Sequence, residues 1–211
     1  SSSLPLQFVG HSKWGAWLKA QSPGPRGWIE SLGISGSAGD LAVLPGDDGK
    51  ASGAVFVIPN APTLWDFGAL GTKLPVGTWH LEGETGPVSM TDVTVAIGLG
   101  AWTFDRYRVT KAKPGPRFVW PVGADKKRAT ATVEAISMAR GLITTPSSDM
   151  GPAELAAAAQ ALAKVHKAKV RTIVGDDLLK RNFPTIHAVG RASARAPRLI
   201  DLTWGKASNP K

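Results

Sequence analysis

Residues 182–204 read Asn-Phe-Pro-Thr-Ile-His-Ala-Val-Gly-Arg-Ala-Ser-Ala-Arg-Ala-Pro-Arg-Leu-Ile-Asp-Leu-Thr-Trp. The apolar run after Pro197 reads as a strand over 198–204, and the stretch before it as a connection in which His187 occupies an apolar turn. Working backward, residues 169–174 form a second strand, 176–181 a short helix, and 152–166 a longer one. Proline suits the first turn of that helix, at Pro152, and alanine-rich composition favours its body. Ala129, Val133, Ile136 and Ala139 recur at helical spacing over 126–142, and Pro146 blocks continuation past Thr145. Helix, strand, helix, strand in this order argues for an α/β domain that has only begun. Three helices and two strands make a poor core on their own.

The first half has shorter elements. Residues 41–44 and 54–58 are apolar runs flanked by Gly46-Asp47-Asp48-Gly49 and Pro59-Asn60, which predicts neighbouring strands buried on both faces. A short helix is expected over 65–70 and a strand over 77–82. Thr91 reads as the N-cap of a helix carrying Val93, Ala96, Ile97, Gly100, Ala101 and Phe104 toward the sheet. Residues 111–127, with Pro114, Pro116 and Pro121, resemble an interdomain connection holding one short strand at 117–120. The expected organisation is an N-terminal mixed-sheet α/β domain over 1–124, then the opening helices and strands of a second α/β domain over 125–211.

Composition excludes several classes. The 211 residues, 43% apolar with eight Trp, can bury a core. With no Cys, disulfides and thiolate metal sites are excluded. No apolar run approaches the roughly 20 residues that span a bilayer, and no signal peptide is expected at the Ser1-Ser2-Ser3 start. The net charge of +9 is uneven: residues 1–104 carry 5 Lys and Arg against 8 Asp and Glu, so residues 105–211 carry about +12. Such a surface faces solvent or an acidic neighbour domain, or attracts nucleic-acid phosphates.

Motifs for chemistry are sparse. His11, His80, His166 and His187 lack compact ligand spacing. His166 reads as a favourable charge at a helix C-terminus and His187 as a hydrogen-bonded scaffold residue. Gly33-Ile34-Ser35-Gly36-Ser37 misses the last glycine of a nucleophile elbow and reads as a loop. Gly98-Leu99-Gly100 falls inside a helix instead of opening one, which indicates close packing rather than dinucleotide binding. Asp47-Asp48 and Asp176-Asp177 read as a solvated turn and a helix start, with no further acidic ligands nearby. Trp102 and Tyr107 beside Arg106 and Arg108 offer stacking and charge to a nucleic acid, or aromatic packing at a helix end. No residue of the chain is therefore assigned to catalysis, cofactor binding or metal binding.

Three segments carry a family likeness. They are residues 98–107 (Gly-Leu-Gly-Ala-Trp-Thr-Phe-Asp-Arg-Tyr), residues 140–152 (Arg-Gly-Leu-Ile-Thr-Thr-Pro-Ser-Ser-Asp-Met-Gly-Pro), and the opening segment, residues 182–204. Together they resemble the leucyl (cytosol) aminopeptidases over roughly residues 96–204. Gly141 and Thr144 stand where that family commonly has Asp and Asn. The resemblance implies an N-terminal domain serving assembly or regulation, followed by the start of a catalytic domain. In the family, two divalent ions, manganese or zinc, act in removing N-terminal residues from peptides. Its Lys-and-Asp metal segment and Asn-Thr-Asp-Ala-Glu-Gly-Arg motif would follow Lys211.

The resemblance thus implies a cytoplasmic hexamer as the complete enzyme. This chain is expected to be inactive alone, and the remainder of the catalytic domain to be its partner. The alternatives are a DNA-binding or regulatory role, suggested by the basic second half, and a pseudo-enzyme assembly subunit.

Overall fold

A computed structural model describes residues 3–110, 114–206 and 208, so the start of the predicted connection at Lys111 and the chain end at Lys211 lie outside the described residues. The chain divides into two compact units, residues 1–138 and 139–211.

The first unit is built on a five-stranded mixed sheet. Strand β1 (Leu4–Gly10) lies at its centre, between β3 (Ala51–Ile58) and β4 (Thr78–Glu82), and is parallel to both. The hairpin partner β2 (Leu41–Pro45) runs antiparallel to β3 at one edge, and the two-residue β5 (Arg117–Phe118) pairs in parallel with β4 at the other. Every residue of β3 from Gly53 to Ile58 is buried, as expected for a strand covered on both faces. Ala54, Phe56 and Ile58 join Leu6 and Phe8 on one face, whereas Val55 and Val57 join Val9 on the other.

Helices cover both faces. Trp14 of α1 (Trp14–Lys19) and Ile29 of α2 (Pro23–Ser31) pack on the Val9 side. Phe67 in a 3-10 turn (Leu64–Phe67), Leu70 of α3 (Leu70–Lys73) and Val93, Ala96 and Ile97 of α4 (Met90–Gly100) pack on the Phe8 side. Each fully buried aliphatic or Phe side chain contributes about 1.5–3 kcal/mol. Phe8 meets Phe67 edge-on at 5.4 Å between ring centres.

Residues 1–40 yielded no element from the sequence, yet they hold β1, α1 and α2. The reason is local: Pro5 and Gln7 interrupt the apolar pattern of β1, and Gly24, Pro25 and Gly27 are poor helix formers inside α2. The predicted 65–70 helix is instead the 3-10 turn followed by α3. Thr91 is not the N-cap of α4. Ser89 is: its Oγ accepts the Asp92 N–H at 3.1 Å and donates to Asp92 Oδ2 at 2.8 Å. Thr91 is buried in the first turn of the helix, where its Oγ1 accepts the Asp125 N–H at 2.9 Å. The helix stops at Gly100, so Phe104 lies beyond it.

Glycine on α4 reflects close approach, as the sequence indicated. A Cβ at Gly100 would overlap the Gly68 carbonyl, and one at Gly98 would come within 2.8 Å of Val133 Cγ2. Val133 belongs to α5 (Lys126–Thr144), which starts in the first unit and ends in the second.

In the second unit, α6 (Pro152–His166) and the strand β6 (Lys169–Val174) have the expected bounds. They are followed by α7 (Asp177–Lys180) and β7 (Arg198–Thr203), which pairs antiparallel with β6. The expected turn at His187 is a helix, α8 (Pro184–Gly190), whose proline sits in the first turn. Seven residues are too few for apolar periodicity to show. Among the described residues of this unit only Ala156, Ala163, Ile173 and Leu178 are buried apolar side chains. A two-stranded sheet is marginal by itself.

Gly100→Ala must displace backbone at Gly68 and is expected to destabilise by about 1–3 kcal/mol. Gly98→Ala meets only a side chain and should cost less; urea unfolding of the two variants compares them.

Candidate functional site

The chemically capable side chains are held apart. His11 Nδ1 donates to the Gly36 carbonyl at 2.7 Å. His80 bonds Ser3 Oγ through Nδ1 and Glu82 Oε1 through Nε2, at 2.9 and 3.0 Å. His166 lies in the last turn of α6 as expected, and its carbonyl accepts the Trp204 Nε1–H at 3.1 Å. His187 Nε2 donates to Asp176 Oδ1 at 3.0 Å, a scaffold contact tying α8 to the start of α7.

The acidic pairs and loops are equally occupied. Asp48 accepts the Lys50 N–H at 3.0 Å within a turn. Asp177 pairs with Lys180 at 2.7 Å, and that hydrogen bond holds its carboxyl below the usual range and raises the lysine. Asp40 accepts the N–H groups of Gly36 and Ser37, closing the glycine-serine loop into a turn rather than an elbow. Gly98-Leu99-Gly100 ends α4 instead of opening a helix. Half-buried Trp102 lies 6.4 Å from Phe104, and Arg106 stands 5.7 Å from the centre of the Tyr107 ring. Among the described residues no three of His, Asp and Glu converge on a point where a metal ion could sit. A pair of divalent ions would need several converging carboxylates, so these residues do not fit that group.

What the second unit does build is a junction between the two segments most like the family pattern. Gly151 precedes α6 in extended conformation, and its N–H is accepted by Glu154 Oε2 at 2.9 Å. Arg195, from the loop before β7, reaches back to this turn. Its guanidinium donates to the carbonyls of Ser147, at 3.0 Å, and Ser148, and lies 3.7 Å from Glu154 Oε2. A Cβ at position 151 would overlap that guanidinium, so the clamp needs glycine there. Beside it an apolar crevice of about 700 Å³ is lined by Met150, Leu155, Ile186, Val189 and Ile200.

These two segments, residues 140–152 and 182–204, fall inside the matched part of a known catalytic domain. Residues 137–211 match the cytosol aminopeptidase family catalytic domain, and residues 4–121 match the M17 aminopeptidase N-terminal domain. The chain belongs to the M17 aminopeptidase family.

Relatives agree. A probable cytosol aminopeptidase of Streptomyces avermitilis is 33% identical over 215 residues, covering 87% of this chain and 42% of that protein. The crystal structure of a cytosol aminopeptidase from Coxiella burnetii is 33% identical with a TM-score of 0.89, over all of this chain and 46% of that one. The bottromycin maturation enzyme BotP, solved in complex with Mn, shares the fold at 21% identity and a TM-score of 0.72. The chain thus spans less than half the length of the relatives it matches. Among the described residues no helix is long and apolar enough to cross a membrane.

Arg195 was not singled out by the sequence. Several arginines crowd that loop, and only contact with carbonyls 47 and 48 residues away distinguishes this one.

Arg195→Ala should cost about 1 kcal/mol through the two orphaned carbonyls, and Arg195→Lys should not restore it, because lysine lacks the planar fork. Thermal unfolding reads both. The Glu154 carboxyl is held below the usual carboxylate range by the N–H groups of Glu154 itself and Gly151, with a smaller contribution from Arg195. Its stabilisation is therefore present above the ordinary carboxylate pKa and is lost as pH falls through the lowered value. The Gly151 amide resonance in an acid titration follows that loss.

Proposed function

We propose that this chain is part of a leucyl-aminopeptidase-like metallopeptidase that removes N-terminal residues from peptides. It supplies the N-terminal domain and the first elements of the catalytic domain. The single observation that supports this most is the TM-score of 0.89 to a cytosol aminopeptidase over the whole chain. The two divalent ions, manganese or zinc, require ligands other than the described residues, so the chain alone is inert. Residues 1–124 serve assembly or regulation, residues 125–211 begin the catalytic domain, and the complete enzyme works as a cytoplasmic hexamer.

The second unit supports a need for further polypeptide. Ile143, Val189 and Trp204 are 83%, 86% and 74% exposed, in a unit with four buried apolar residues among those described. Large apolar side chains left in water beside so thin a core are available to pack against further polypeptide. Thr172 Oγ1 and Arg198 Nε are enclosed without hydrogen-bond partners, which costs free energy until a partner arrives. The natural occupant is the remaining part of the catalytic domain. The comparisons lend no support to the nucleic-acid and pseudo-enzyme alternatives.

The pure chain with leucine-p-nitroanilide and excess manganese is expected to show no turnover. Adding a polypeptide that corresponds to the relatives' remaining residues should restore metal-dependent release of nitroaniline. Turnover by the chain alone would contradict the inert assignment, and absence of activity in the combined protein would contradict the peptidase assignment.

A further inference from the structure

The central sheet of the first unit contains a place where the chain leaves two adjacent parallel strands toward opposite faces. After β1 the chain turns through Ser12 and Lys13 into α1, which packs on the Val9 face. After β3 it turns through Pro59 and Asn60 toward Phe67 and α3, which pack on the Phe8 face. Connections that diverge in this way open a crevice at the carboxyl ends of the strands, the general location of ligands in open α/β sheets. The crevice is present here, with a volume of about 600 Å³. That volume lies within the range of small-molecule sites.

Its lining is chemically specific. Lys13, following β1, and Glu84, following β4, meet at 3.3 Å, and both are largely exposed. An exposed pair of this kind is worth about 0–1 kcal/mol, so separating it to admit a ligand costs little. Gln7 and Asn60 add two carboxamides. Gln7 Oε1 accepts the Trp17 Nε1–H at 3.0 Å, and Asn60 Oδ1 accepts the Ser12 N–H at 3.1 Å. Their amide nitrogens thus remain as donors at the wall. Trp17, Ile58 and Pro62 supply apolar surface. The lining carries one cation and one anion, so it favours a net-neutral ligand with separated charges over a phosphate dianion.

We infer that this crevice binds a small zwitterion with an apolar side chain, a free amino acid or a dipeptide. Glu84 takes its ammonium, Lys13 its carboxylate, and the Gln7 and Asn60 amides its carbonyl oxygens. The assignment of a biological meaning rests on the proposed peptidase reading: a free amino acid is what such an enzyme releases, so the N-terminal domain senses product or short substrate away from the reaction. Binding itself is independent of that reading, because it is measured as saturable shifts and not through catalysis.

The test is a titration of the isotope-labelled 211-residue chain with L-leucine and Leu-Leu, following the Ser12 and Asn60 amides and the Trp17 indole N–H. Saturable shifts are expected, with N-acetyl-leucine amide, which carries neither charge, at least about tenfold weaker. Lys13→Ala and Glu84→Ala alter exposed side chains and should each weaken binding by about tenfold with the spectrum otherwise unchanged. Lys13→Arg should retain binding. Absence of saturable shifts at about 10 mM ligand, equal binding of the uncharged analogue, or preferential binding of AMP at the same resonances would overturn the proposal. None of these outcomes bears on whether the complete protein hydrolyses peptides.

Discussion

The first unit depends on one constraint: β1 has a parallel neighbour on each side and apolar side chains on both faces. Phe8 and Val9 are consecutive residues, buried in opposite directions. A strand in that position cannot leave either face to water, so the chain must supply helices above and below the sheet. The connection after β1 covers one face and the connection after β3 the other. On that second face the close approach of α4 to the Gly68 carbonyl is admitted by Gly100. The crevice beside Asn60 and Lys13 is the geometric remainder of the same divergence.

The second unit is held differently. With a thin apolar core, it relies on polar ties between segments distant in sequence, chiefly Arg195 across the Ser147 and Ser148 carbonyls and His187 on Asp176. Such ties fix the path of the backbone but contribute little free energy where solvent reaches them. That contrast distinguishes the two units: in the second, Ile143, Val189 and Trp204 stay largely exposed while few apolar side chains among the described residues are buried.

Strong local patterns were legible in the sequence. The apolar run at 54–58 gave β3 and its two-faced burial, and Pro152 with the alanine-rich stretch gave α6. Glycines inside α4 gave close packing. Weak local patterns misled. Thr91 and Ser89 are both competent caps, and what decides between them is that Asp92 completes a reciprocal pair with Ser89 while Asp125 claims the Thr91 hydroxyl. The first forty residues were opaque because Pro and Gly interrupt elements that tertiary burial stabilises anyway.

The sequence alone therefore determined the family likeness, the α/β class and the absence of a recognisable metal or nucleophile motif, since these are properties of residue order and spacing. Only the tertiary structure decided which helix face each strand residue meets, that Arg195 joins the two family-like segments, and that Lys13, Asn60 and Glu84 share a crevice. Those groups lie up to 71 residues apart. No local propensity encodes their meeting; it follows from parallel pairing of β1 with both β3 and β4, which brings the ends of three separated strands to one side of the sheet.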